Sequence, residues 1–95
     1  MSIKIDTKVN KVIITVEAQD QISTEETTIN IKCTEKIVIS LDETLREEEV
    51  YERITRMINN VEDCINRRKK AVETLIEILS SVGRSRVDKF IYYSE

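Results

Sequence analysis

Apolar and polar residues alternate from Ile3 to Val9, with Ile3, Ile5, Thr7 and Val9 on one side and Lys4, Asp6 and Lys8 on the other. A second alternating run sets Val12, Ile14, Val16 and Ala18 against Ile13, Thr15 and Glu17. Period two over both runs predicts half-buried strands. A two-residue turn at Asn10-Lys11 joins them, with Asn accepting the positive φ that such turns demand. It places Val9 opposite Val12, Thr7 opposite Ile14, Ile5 opposite Val16 and Ile3 opposite Ala18, all on one face. A one-residue slip would scramble both faces. The polar stretch Gln19 to Glu26, broken only by Ile22, reads as a mobile connection.

Alternation then resumes at Ile29, Ile31 and Cys33, and again at Ile37, Ile39 and Leu41. A three-residue loop at Thr34-Glu35-Lys36 makes these runs a second hairpin, with Cys33 opposite Ile37. The reading is a four-stranded antiparallel meander whose apolar face needs a cover.

The period changes after residue 42. Thr44-Leu45-Arg46-Glu47 fits a capping box, and apolar residues recur at helical spacing as far as Val82. In heptad terms Ile54, Val61, Leu75 and Val82 occupy one position, Val50, Met57, Cys64, Ala71 and Ile78 a second, and Tyr51, Ile58, Ile65, Val72 and Leu79 a third. Arg68 is the one interruption. Gly83 stands where a helix C-cap glycine belongs. The unbroken phase predicts one amphipathic helix from about 44 to 82, over a helical hairpin folded near Asn59-Asn60 or Asn66-Arg67. At about 1.5 Å per residue it spans roughly 58 Å, whereas seven-residue strands span roughly 23 Å. The helix is thus expected to overshoot its sheet by about half its length, and a second copy is expected to cover the remainder. Ile54, Val61, Cys64, Ile65, Arg68, Val72, Leu75 and Leu79 are the residues expected in that helix-mediated dimer, with Cys64 near its symmetry mate.

Charge points the same way. Residues 42–63 carry eight acids against three bases, and residues 64–89 carry seven bases against three acids. An antiparallel helix pair matches these halves, while a parallel pair stacks like on like. Residues 84–95 follow the helix, and Val87 to Tyr93 read as a short strand or turn added at a sheet edge. The chain is therefore expected to be a single α+β domain, with a sheet over 1–41, the helix over 42–83 and a tail over 84–95.

Composition narrows the chemistry. Ile, Val, Leu and Phe make up 29 of the 95 residues, enough for a core. Histidine is absent, which removes the commonest general base and metal ligand. With one glycine and no proline, Gly-rich phosphate loops are excluded. Cys33 and Cys64 stand far apart on apolar faces, and are expected to be reduced and buried in a cytoplasmic protein. No cofactor, metal or membrane association is implied. The acidic Glu47, Glu48, Glu49 and Glu52 lack the loop spacing of a calcium site. No histidine is present to activate the hydroxyls Ser23, Thr24, Thr27 and Thr28.

Two functional classes remain. The first is a non-enzymatic oligomeric interaction protein that binds another protein and modulates or blocks it. The second is a module for nucleic acid or a nucleotide-like anion, built from Arg67, Lys70, Arg84, Arg86 and Tyr92.

Overall fold

The computed structural model describes residues 1–25, 28–42, 44 and 46–83. Three strands, β1 (Ser2–Thr7), β2 (Lys11–Ser23) and β3 (Thr28–Ser40), form an antiparallel sheet in the order β1-β2-β3. One helix, α1 (Glu47–Gly83), follows, so the class is α+β.

Three strands replace the expected four because the chain stays extended through Glu35, an inward carboxylate that reads as loop. Residues 28–40 keep one parity throughout, Ile29, Ile31, Cys33, Glu35, Ile37 and Ile39 pointing one way, and pair continuously with β2 from Ser23↔Thr28 to Lys11↔Ser40. Thr34-Glu35-Lys36 is therefore strand and not loop. Glu35 faces the helix side, where Asn60 Nδ2 donates to its Oε1 at 3.3 Å. The same logic turns the expected connection after Ala18 into strand as far as Ser23. Asp20 lies on the inward parity, and Lys69 of the helix reaches its Oδ2 at 3.2 Å. An inward charge breaks the hydrophobic pattern but not the strand, once the facing element supplies a partner.

The first hairpin has the expected faces and a different turn. Its register pairs Ile3 with Val16, Ile5 with Ile14 and Thr7 with Val12. Lys8 N donates to Lys11 O at 2.8 Å, so Val9 and Asn10 form the turn. Moving the turn by one residue moves the register by two, which preserves the side of every residue. None of the described residues has positive φ, so the turn does not use the asparagine in that way.

The helix is continuous over 37 residues, as the unbroken phase requires. It begins at Glu47, where Val50 N donates to Arg46 O, three residues after the Thr44 expected to cap it. Its sheet-facing side buries Met57, Val61 and Ile65 against Val16, Ala18, Ile22, Ile29, Ile31 and Cys33. Ile31 and Val16 are fully shielded from solvent.

Length arithmetic changes with the strands. Thirteen residues in each of β2 and β3 span roughly 43 Å, against roughly 55 Å for the helix. From the level of Cys33 and Cys64, Thr28 lies roughly 17 Å along β3, a distance the helix covers by about residue 75. The overhang beyond the paired strands is thus about two turns rather than half the helix. The expected tail strand or turn, Val87 to Tyr93, lies outside the described residues.

Candidate interaction surface

Four links hold the middle of the helix to the sheet. Cys33 and Cys64 form a disulfide with a Cα–Cα distance of 6.2 Å, within the range such bonds span. Arg68 Nη1 donates to the Lys32 carbonyl at 2.9 Å, and the contacts of Asn60 with Glu35 and Lys69 with Asp20 flank it. Successive helix residues 60, 64 and 68 meet strand residues 35, 33 and 32, so the helix runs antiparallel to β3 and parallel to β2.

This docking corrects the expected cysteine chemistry and packs part of the expected dimer seam against the chain's own sheet. The thiols are not reduced, and Cys64 is bridged within its own chain instead of facing a symmetry mate. Val61 and Ile65 are buried on the chain's own sheet, Val72 packs against that core, and Ile54 is half-buried. Arg68, the interruption in the heptad pattern, is the residue that reaches the β3 backbone. Of the eight expected interface residues, Arg68, Leu75 and Leu79 are exposed, the two leucines at 54% and 37%. Ile78 and Val82 join them in the last two turns.

A second apolar strip lies at the opposite half of the sheet. The helix packs on β2 and β3 and not on β1. One helix about 10 Å across covers two strands spaced about 4.8 Å apart, and the third is left bare. Ile3 and Ile5 of β1, on the core-facing parity, are consequently half-exposed or more, and Met1 is exposed beside them. Spacing alone could not reveal this strip, because Ile3 and Ile5 look like any inward strand positions.

The basic run divides. Arg68 and Lys69 reach sheet atoms with their head groups, Arg68 from an exposed position, and Arg67 and Lys70 are exposed on the helix. Arg67 Nε donates to Asp63 O at 3.4 Å and shares a shallow, open depression with Asn60, Asp63 and Asn66. Arg84, Arg86 and Tyr92 lie outside the described residues, so the structure brings only Arg67 and Lys70 of that candidate set near each other.

Two carboxyls titrate below their ordinary range. Glu17, on the outer face of the sheet, accepts from Gln19 Nε2 at 2.9 Å and pairs with Lys32 at 3.0 Å, and both lower its pKa from the usual 4.5. Asp20 accepts the Gln21 backbone N–H at 2.7 Å and the Lys69 ammonium, which lower it from 3.8. A depressed folded-state pKa contributes stability above the unfolded value and loses it as pH falls through the folded one. The melting temperature is therefore expected to decline modestly on acidification below these ordinary values, and to decline less in a Glu17→Gln/Asp20→Asn double variant. An equally steep decline in the double variant would assign the acid sensitivity to other groups.

No described helix is long and apolar enough to cross a membrane. Comparison with known protein families, curated proteins and solved structures finds no match.

Proposed function

We propose that this chain is a small, non-enzymatic interaction protein that pairs with a second copy through its long helix and, as that pair, binds another protein to modulate or block it. The observation that carries the pairing is the placement of large apolar side chains at exposed positions of a pinned scaffold. Leu75, Ile78, Leu79 and Val82 occupy one end and Met1, Ile3 and Ile5 the other half of the sheet. Contiguous exposed apolar surface marks protein contact sites. The four helix–sheet links hold these surfaces in fixed relation, and such preorganisation lowers the entropy lost on binding. We place the protein where the Cys33–Cys64 bridge persists, in an oxidising compartment rather than the cytosol first expected.

Affinity capture from a native lysate tests the reading. Wild-type chain is expected to retain one protein at a fixed ratio, and a Leu75→Asp/Leu79→Asp variant, unable to pair, is expected to lose it. Nothing retained in fixed ratio by the wild type would contradict the proposal.

A further inference from the structure

β1 is shorter than its neighbour, and the difference leaves a notch. Ser2 pairs with Glu17, so the β1 side of β2 from Ala18 to Ser23 has no strand partner among the described residues. Backbone groups along such an edge are a template for another strand. The Gln21 N–H is met by the adjacent Asp20 side chain, not by a strand.

We infer that the notch is filled by a second copy of this chain, turned by a half-rotation about an axis normal to the sheet near Gln21, so that the two Ala18–Ser23 segments pair antiparallel. The inference rests on the self-association proposed above and specifies its geometry. The contact is isologous, each copy filling the other's notch, which is the commonest closed arrangement for a homodimer.

Further consequences follow from that one operation. The sheet order across the junction becomes β3-β2-β2-β3, and each helix lies over its own β2 and β3. The two helix axes then stand two strand spacings apart, roughly 10 Å, the distance at which helices pack. They run antiparallel and cross near Lys69 and Lys70, which lie level with Asp20 and Gln21. Beyond the junction, the partner's β1 stands in line with this chain's β2. The overhanging turns of the helix, where Leu75 and Leu79 continue the helical spacing of the sheet-packed Val61, Ile65 and Val72, therefore pass over the bare β1 face carrying Ile3 and Ile5. Near the axis, Asp20 and Lys69 of both copies come together as two acids and two bases. Two exposed apolar surfaces at opposite ends of a molecule 63 Å long and an unpaired strand edge are thus covered at once.

A cysteine placed on the axis tests this. Position 21 is on the outer face of β2, and directly opposed residues of an antiparallel pair stand about 4.5–5.5 Å apart. Under mild oxidation Gln21→Cys is expected to give a covalent dimer joined through position 21, with the Cys33–Cys64 bridge intact by peptide mapping. Asn30→Cys, opposite Gln21 on β3, is expected to give none. Gln21→Pro, which removes the edge N–H, is expected to reduce the solution mass to one chain with the melting temperature of the isolated chain retained. If the wild type has a two-chain mass but Gln21→Cys does not crosslink and Gln21→Pro leaves that mass unchanged, the copies meet elsewhere. That result overturns the notch and leaves self-association standing. A single-chain mass overturns both. A single-chain mass with the Gln19 and Gln21 amides protected from exchange would assign the notch to the chain's own residues 84–95.

Discussion

Cys64→Ser is expected to lower the melting temperature by about 15–25 °C. The bridge closes a loop with a sequence separation of 31 residues, and the loss of loop-closure entropy from the unfolded chain is worth about 3.5 kcal/mol at that length. Each kcal/mol moves the midpoint of a domain this size by about 4–8 °C. The effect is large because the bridge sits in the middle of the helix–sheet contact, beside Val61 and Ile65, and ties an element of low contact order to strands distant in sequence. Reducing the wild type is expected to give the same midpoint as Cys33→Ser, since either treatment breaks the same bond. A loss of less than about 3 °C by calorimetry would show that packing of Met57, Val61 and Ile65 alone holds the helix in place.

The second large effect concerns assembly rather than folding. Leu75 and Leu79 are more than one-third exposed, so their replacement by Asp removes little from the core of the single chain. Covering the exposed part of Leu75, Ile78, Leu79 and Val82 contributes about 1 kcal/mol each, and a symmetric pair does so twice. Association must offset roughly 4–15 kcal/mol of lost translational and rotational freedom. The pair is therefore expected to be of moderate affinity and sensitive to any charge at the helix tip. Leu75→Asp/Leu79→Asp is expected to weaken it more than 100-fold, because two apolar contacts are lost and two carboxylates must be desolvated, while the melting temperature of the single chain moves by only a few degrees.

Much of this architecture was legible from spacing. The period-two runs placed the inward residues of β1 and β2 on their correct sides even though the turn was shifted by one, because side-chain direction depends only on parity. The unbroken heptad phase gave one helix rather than two. What spacing hid was the role of isolated charges. Asp20 and Glu35 read as loop because an inward carboxylate departs from the strand pattern, and their partners Lys69 and Asn60 lie 49 and 25 residues away. Halving the apparent strand length then exaggerated the helix overhang. Arg68 was visible as an interruption, yet its partner is a backbone carbonyl, which no side-chain pattern encodes. The Cys33–Cys64 pairing could have been found from the pattern itself. Both residues lie on core-facing positions of elements that must pack together, and they are the only two cysteines in the chain.

A helix pinned by its middle over two of three strands leaves apolar surface at its C-terminal end and on β1, and the proposed second copy covers both. Solution mass by light scattering, followed across a dilution series, tests this most directly. Wild type is expected to approach twice 11.1 kDa at high concentration and to fall toward one chain on dilution, with Leu75→Asp/Leu79→Asp at one chain throughout. A wild-type particle that weighs 11.1 kDa at every concentration would contradict it.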